Sequence, residues 1–232
     1  MKILDRISFE IDLPSLFRRM RLEPDAEYAD EIRRLVEAAR PVAKPRAIYE
    51  VAFVEAREGQ DAIRLGGARF VSRAVRSNLE TVERVFPYIA SCGPELDQLP
   101  LAADDFVGQF CRDTIKEMAL HAALSHLRAH VQETFAIPKM AGMSPGSGDA
   151  HVWPIQQQKE LFSIFGDVHA LIGVTLTDTF LMLPNKTVSG ILYPTEVDFV
   201  TCQLCHREVC PNRRAPFDQH LWEMKFGPGT GR

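Results

Sequence analysis

The stretch that decides the fold lies near the C-terminal end and reads Gly173-Val-Thr-Leu-Thr-Asp-Thr-Phe-Leu-Met-Leu-Pro-Asn-Lys-Thr-Val-Ser-Gly190. Two arms, Gly173–Leu183 and Lys186–Tyr193, flank the pair Pro184-Asn185, which is typical of a turn. Both arms are rich in Val, Leu, Ile, Thr and Phe, most of which favour strands. This pattern predicts a β-hairpin over residues 173–193.

Helices and a long loop precede this hairpin. Between Asp104 and Phe135 apolar residues recur every three or four positions, which predicts a long helix with one buried face. The segment Ile137–Asp149 is rich in proline and glycine, so we expect a loop of the kind that carries binding sites. A second helix is predicted over Pro154–Phe165, because proline suits a first helical turn and Gly166 supplies an end.

The N-terminal part of the chain adds strands and a helix. Alternating patterns predict strands at Ile7–Asp12, Ile48–Glu55 and Val82–Cys92, and helical spacing predicts an amphipathic helix over Pro24–Ala39. Pro87 favours an edge position or a bulge for the third strand. The expected fold class is α+β, with a twisted, largely antiparallel sheet and a long helix packed on it. We expect one domain with an N-terminal part at 1–80 and a core at 81–195, followed by a cysteine-containing tail at 196–232 whose last residues are mobile.

Composition excludes several classes of function. With 27 basic and 31 acidic residues the net charge is −4, which argues against a surface that neutralises nucleic-acid phosphates. The apolar runs are far shorter than the roughly 20 residues needed to cross a bilayer, so a cytoplasmic protein is expected. The sequence has no Ser/His/Asp or Cys/His arrangement that indicates a nucleophilic enzyme.

The quoted stretch closely resembles the Leu-Thr-Glu-Ser-Phe-Ala-Met-x-Pro…Ser-Val-Ser-Gly hairpin of the activation domain of cobalamin-dependent methionine synthase. The order of the other elements is similar too. Ser144-Pro145-Gly146 falls where that family has an Arg-x-x-x-Gly-Tyr-Pro loop, and Asp104-Asp105-Phe106 opens a long helix as in the family. The resemblance spans residues 80–195.

The resemblance implies a reactivation function. Domains of that family bind S-adenosylmethionine and present it to cobalamin that has been oxidised to cob(II)alamin, and one electron plus the methyl group restores methylcobalamin. By resemblance, this chain serves in trans a corrinoid methionine synthase that lacks its own activation domain, with a flavodoxin or ferredoxin as electron donor. It would act only with that partner, which carries the cobalamin.

The resemblance also implies which residues bind S-adenosylmethionine. They are Ser144, Pro145 and Gly146 in the loop, Thr177 and Asp178 at the Thr-Glu of the family, and the aromatic residues Tyr193 and Phe199. The family's loop arginine falls at Gly142 and its Tyr-Pro at Ser147 and Gly148, so those side chains differ in kind. Lys139 and Arg213 are the candidates for the missing cation.

A second motif lies in the tail. Cys202, Cys205 and Cys210 have C-x2-C-x4-C spacing, which predicts a metal site because the first pair can bind one ion through a tight turn. Zinc would need a fourth ligand, for which Cys92, Cys111 or a histidine other than His206 are candidates. An iron–sulfur cluster would suit the electron that reactivation consumes. Three reduced cysteines in a structural tail are the alternative.

Two other functions remain open at this point. The chain is alternatively an iron–sulfur or zinc protein that docks on corrinoid proteins for electron transfer without binding S-adenosylmethionine, and the missing arginine favours that hypothesis. A third possibility is an accessory of a corrinoid methyltransferase outside methionine synthesis.

Overall fold

An antiparallel sheet organises the protein in the computed structural model, which describes residues 1–148, 152–196, 199–210 and 213–226. Within those residues the strands are β1 (Lys2–Leu4), β2 (Arg46–Tyr49), β3 (Ala52–Glu58), β4 (Ala62–Leu65), β5 (Ala68–Val71), β6 (Arg84–Ser91), β7 (Met140–Met143), β8 (Thr175–Leu176), β9 (Met182–Leu183) and β10 (Thr187–Pro194). The short strands β8 and β9 pair with each other, and the other eight form one sheet.

Helices cover both faces of the sheet. They are α1 (Leu13–Met20), α2 (Ala29–Ala39), α3 (Arg73–Asn78), α4 (Phe106–Thr134), α5 (Gln158–Ser163), α6 (Val168–Ile172) and α7 (Gln219–Phe226). Short 3-10 helices occur at Glu95–Gln98, Ile155–Gln157 and Thr201–Leu204. The helix α4 begins where the Asp105 carboxylate accepts a hydrogen bond from the Gly108 N–H at 2.7 Å, and it confirms the predicted long helix.

Strand β6 is the centre of the sheet. It pairs with β10 along one side and with β2 and then β3 along the other. Its even-numbered residues Phe86 and Tyr88 pack towards α4, whereas Val85 and Ile89 lie in clusters on the opposite face. This two-residue alternation buries both faces of β6. The expected α+β class, a largely antiparallel sheet with a long helix packed on it, is therefore confirmed.

The prediction that Pro87 marks an edge strand or a bulge is wrong. Pro87 lies within β6, opposite Ile191 of β10. Its carbonyl accepts the Glu50 N–H at 3.0 Å, from the segment between β2 and β3. The N–H and C=O of one strand residue point to the same side, so the N–H that proline lacks would face Glu50, between β2 and β3. The pairing is therefore interrupted between β2 and β3, and β6 continues through Pro87.

The predicted hairpin pairing is also wrong. The chain turns at Thr177–Leu181, well before Pro184-Asn185, because the Leu181 N–H donates to Thr177 Oγ1 and the Phe180 N–H donates to the Thr177 carbonyl, each at 3.0 Å. The first arm therefore folds on itself as β8 and β9. The second arm becomes β10, which pairs with β6 and β7.

Smaller differences concern the other predicted elements. Ile7–Asp12 forms no strand, although Ile7 and Ile11 are buried as the alternation suggested. The predicted strand Ile48–Glu55 is divided between β2 and β3, and the predicted loop Ile137–Asp149 contains β7, while Asp149 lies outside the described residues. The expectation of a mobile end at 227–232 also lies outside them. Over the described part of the chain, no helix has both the length and the apolarity to span a membrane.

Candidate functional site

The predicted binding loop starts where β7 ends. Ser144 to Gly148 form a folded loop in which the Ser147 N–H donates to the Ser144 carbonyl at 3.1 Å and the Gly146 N–H donates to the Trp153 carbonyl at 2.8 Å. Gly146 has φ +75°, and a side chain there would lie within 3.0–3.1 Å of Ile155. Pro145 is buried, whereas Ser144 is half-buried. The loop therefore has a defined conformation that requires glycine at position 146.

A tyrosine and a serine meet at the base of this loop. Tyr88 of β6 is buried, and its hydroxyl hydrogen-bonds with the Ser144 side chain. Gly190 of β10 lies opposite Tyr88, and a Cβ at this glycine would lie 2.7 Å from Ser144 Oγ and would overlap the Met143 carbonyl oxygen. Only glycine at position 190 lets β10, Tyr88 and Ser144 come this close together.

Two arginines act on the Tyr88 hydroxyl. Arg128 of α4 donates to the Met140 carbonyl at 3.0 Å, and one of its guanidinium nitrogens lies 3.6 Å from the place of a Cβ at Gly142. Arg214 belongs to the tail and is exposed. Burial raises the pKa of Tyr88, while the bond with Ser144 and the charges of both arginines oppose that rise. Burial is the largest of these effects, so the pKa of Tyr88 stays above its usual value and the hydroxyl keeps its proton.

The two cations proposed from the sequence have other contacts. Arg213 donates to the carbonyls of Ala215 at 3.2 Å, Cys205 at 3.4 Å and Cys202 at 3.5 Å, and also to that of Arg207, so it organises the tail. Lys139 Nζ donates to the Glu196 carbonyl at 3.3 Å. Sequence reasoning missed Arg128 and Arg214 because neither is near the loop in the chain. No feature of the sequence distinguishes Arg128 from the other charged residues of the long helix.

The predicted aromatic residues lie on the other face of the sheet. Tyr193 of β10 is only 3% exposed and belongs to the apolar cluster that Phe199 packs against. Its hydroxyl has no hydrogen-bond partner among the described residues, and burial raises its pKa. An unpaired buried hydroxyl is costly, so Tyr193 has the capacity to bond a ligand. Phe199 is half-buried, with Lys225 Nζ 5.7 Å from its ring centroid.

Thr177 and Asp178 are not part of this group. Thr177 Oγ1 is occupied within the β8–β9 turn, by the Leu181 N–H and by the Thr179 hydroxyl at 3.0 Å. Asp178 is exposed in the same turn. Both residues therefore lie in a turn and not within a strand of the predicted hairpin arm Gly173–Leu183, and in the described part of the chain no hydrogen bond joins them to the Ser144 loop.

The cysteine tail folds against the loop. A Cβ at Gly148 would lie 3.3 Å from Thr201 Cγ2 and 3.8 Å from Cys205 Cβ. A groove of about 410 Å³ opens beside the tail, lined by Cys205, His206, Arg207, Glu208, Arg213, Pro216 and Phe217. Phe199, Leu204, Leu221 and Trp222 attach the tail to the apolar cluster on the face opposite α4. Loop and tail thus form one continuous surface, which the sequence did not predict.

The metal prediction gains no support from this geometry. Over residues 1–148, 152–196, 199–210 and 213–226, no three His, Cys, Asp or Glu side chains are grouped so that they could hold a metal ion. Cys202, Cys205 and Cys210 are each partly exposed, and Pro211 lies outside the described residues. Cys92 and Cys111 are buried, which raises the pKa of each thiol to about 12. The metal site stays a prediction.

Cys202 differs from the buried thiols. Burial opposes its ionisation, but backbone N–H groups of Arg214 and Ala215 hydrogen-bond to it and the Arg214 charge lies close, and together these contacts lower its pKa. Arg214 therefore acts on two groups at once, the Cys202 thiol in the tail and the Tyr88 hydroxyl at the loop.

Comparisons with known proteins agree on the fold. No protein-family model matches the chain, and no curated protein matches it in sequence. Among solved structures it is similar to the MetH reactivation domain bound to AdoHcy, with a TM-score of 0.54 and 15% sequence identity. The match covers 87% of this chain and 81% of that domain. The two proteins share a fold over most of their length.

Proposed function

We propose that this protein binds S-adenosylmethionine and acts as a separate reactivation subunit for a cobalamin-dependent methionine synthase, to whose cob(II)alamin it presents the methyl donor. The observation that carries the proposal is the Ser144 side chain against Tyr88, with Arg128 beside Gly142 of the adjoining strand, at the loop that the sequence resemblance assigns to the ligand. The similar fold of a domain bound to AdoHcy supports the same conclusion.

The residues at the loop fit the chemistry of an adenosylated amino acid. Such a ligand carries a carboxylate, which arginine binds more strongly than neutral donors do because the hydrogen bonds are charge-assisted. Arg128 lies beside the strand that leads into the loop, the charge of Arg214 acts on the same region, and the half-buried Ser144 offers a hydroxyl there. We propose that Arg128 takes the part of the loop arginine that the family has at the position of Gly142, since one of its guanidinium nitrogens lies 3.6 Å from the place of a Cβ there.

The remaining parts of the site have supporting functions. Tyr193 and Phe199, which the sequence resemblance also assigns to the ligand, lie on the face of the sheet opposite Tyr88. The Tyr193 hydroxyl lacks a partner among the described residues, and we propose that it contacts a part of the ligand that extends past the sheet edge at β7. When bound, S-adenosylmethionine supplies an electrophilic methyl group. This chain's own groups hold its carboxylate and cover it with the tail, so that the partner's corrinoid approaches from the open side.

The proposal extends to partners and electrons. The cobalamin belongs to the partner synthase, and a flavodoxin or ferredoxin in the cytoplasm supplies the electron. An iron–sulfur cluster or zinc ion at Cys202, Cys205 and Cys210 would give the tail a part in that transfer. Metal analysis and an absorbance spectrum of the purified protein test this part separately: a colourless, metal-free protein rules out the cluster but leaves ligand binding unaffected.

Calorimetric titration with S-adenosylhomocysteine tests the binding site. Arg128→Gln removes a charge-assisted bond worth about 1.5–3 kcal/mol, so we expect affinity to fall about 10- to 100-fold. Arg214→Gln should cost less, about tenfold, because Arg214 is exposed. Arg34→Gln changes an exposed arginine of α2 and serves as the matched control. If the two site variants bind as the control does, or if the wild-type protein does not bind, the proposed site is wrong.

A further inference from the structure

The groove beside the tail is partly lined by aromatic rings. It has a volume of about 410 Å³, and both Phe217 and His206 line it. The centroid of the His206 ring lies 4.3 Å from those of the Phe217 and Trp222 rings. Trp222 in turn packs against the apolar cluster that contains Tyr193, which anchors the three rings to the body of the protein. A groove of this size with packed aromatic rings suits a flat organic ring system.

The polar side chains of the groove complement each other in hydrogen bonding. Arg207 and Glu208 are exposed, and both line the groove. Arg213 lines it too, but its guanidinium donates to four backbone carbonyls of the tail and so has a structural function. A guanidinium only donates hydrogen bonds and an ionised carboxylate only accepts them. Arg207 and Glu208 therefore offer a ligand one donor group and one acceptor group beside the aromatic rings.

Adenine has the complementary groups. Its amino group donates hydrogen bonds and the ring nitrogen next to it accepts one, so one edge of the base can bond a carboxylate and a guanidinium together. Its flat face stacks on aromatic side chains. A purine without the amino group keeps the face and the ring nitrogens but has nothing to donate to a carboxylate.

The groove is within reach of the Ser144 loop. A Cβ at Gly148, where that loop ends, would lie 3.8 Å from the Cβ of Cys205, which lines the groove. Ser144 and Gly148 are four residues apart, so at most about 14 Å separates them. A ligand whose carboxylate lies near Ser144 can therefore extend its other end to the groove.

We propose that this groove binds the adenine ring of the ligand, with Phe217 stacked on the base, Glu208 accepting from its amino group and Arg207 donating to a ring nitrogen. The identity of the whole ligand rests on the proposed function, whereas recognition of adenine rests on the groove. None of these contacts uses the Cys205 thiol, which stays available to the proposed metal ion. The tail thus selects the adenosyl group, and the Ser144 loop holds the amino-acid end.

Calorimetric titration of the full-length protein with adenosine and with purine riboside, which lacks the amino group, tests the groove. We expect adenosine to bind about fivefold more tightly than purine riboside, because only adenosine can donate to Glu208. Glu208→Ala should abolish this preference, and Phe217→Leu should weaken both nucleosides about tenfold through lost stacking. Glu223→Ala changes an exposed glutamate of α7 in the same tail and should bind as the wild-type protein does.

The proposal is overturned if the wild-type protein binds neither nucleoside or binds both equally, or if Glu208→Ala keeps the preference for adenosine. S-adenosylhomocysteine separates it from the proposed function. If Arg128→Gln weakens binding of that ligand but Glu208→Ala and Phe217→Leu do not, the proposed function stands and the groove does not hold adenine. If the preference for adenosine depends on Glu208 but S-adenosylhomocysteine binds no more tightly than adenosine and Arg128→Gln has no effect, the groove stands and the proposed function fails.

Discussion

Gly190→Ala tests whether close contact at β10 holds the binding loop in place. The new methyl group would lie 2.7 Å from Ser144 Oγ and 3.1 Å from a ring carbon of Tyr88, and it would overlap the Met143 carbonyl oxygen. Ordinary carbon–oxygen contacts are about 3.3 Å or longer, so at least the serine must move by about 0.6 Å. The carbonyl has little freedom to move, because Met143 pairs with Ile191 in the adjacent strand.

The expected cost follows from this overlap. Overpacking of a closed interior costs about 1–3 kcal/mol, and we expect the upper end here because backbone as well as side chains must shift. For a chain of this length each kcal/mol lowers Tm by about 2–4 °C, so Gly190→Ala should lower Tm by about 6–12 °C. Because Ser144 is displaced, affinity for S-adenosylhomocysteine should fall as well.

The neighbouring residue supplies the control. Ser189 is 2% exposed, and its hydroxyl has no partner among the described residues. Ser189→Ala therefore removes an unpaired buried oxygen and should leave stability unchanged or raise it by about 1 kcal/mol. Urea denaturation of both variants measures the difference. If Gly190→Ala unfolds within about 1 kcal/mol of the wild-type protein, or if Ser189→Ala is the more destabilised of the two, the close approach at β10 is not as described.

Three further outcomes are expected. Tyr193→Phe should stabilise the free protein by about 1 kcal/mol, because it removes an unpaired buried hydroxyl, and should weaken S-adenosylhomocysteine binding; unchanged affinity would exclude Tyr193 from the site. Asp97→Asn should lower the free energy of unfolding by about 1–3 kcal/mol, because it leaves the buried Lys116 ammonium, 2.5 Å away, without its closest carboxylate; an unchanged urea midpoint would contradict this. Cys92 and Cys111 should resist thiol reagents at pH 8 until the protein unfolds, since a pKa raised to about 12 keeps each thiol protonated, and rapid native-state labelling would refute their burial.

The elements that the sequence predicted well are those with a local cause. The long helix α4 follows from regular apolar spacing and an aspartate cap, both visible in the sequence. The turn at Thr177–Leu181 was missed because Thr177 closes it through its own side chain, inside a run whose composition favours strands. The edge position predicted from Pro87 was wrong because its missing N–H falls between β2 and β3. Only the pairing of those two strands with β6 shows that gap.

The candidate site illustrates a different limit. Ser144, Pro145 and Gly146 were assigned to the ligand from the family resemblance and the glycine-rich loop, and their part in binding stays a prediction. The charges of Arg128 and Arg214 act on Tyr88 from a distant helix and from the tail, and no periodicity or spacing relates these positions. Tyr193 was placed correctly in the strand that forms β10. The sequence did not show that its side chain lies on the face opposite Tyr88, because that depends on the register of β10 with β6.

Anaerobic reconstitution tests the central claim most directly. A corrinoid methionine synthase without its own activation domain is held as cob(II)alamin and supplied with S-adenosylmethionine and a reductant, and methylcobalamin is followed by its visible absorbance. We predict that methylcobalamin forms only when this protein is added, and more slowly with the Arg128→Gln variant than with Arg34→Gln. Formation at the same rate without the protein would contradict the proposed function.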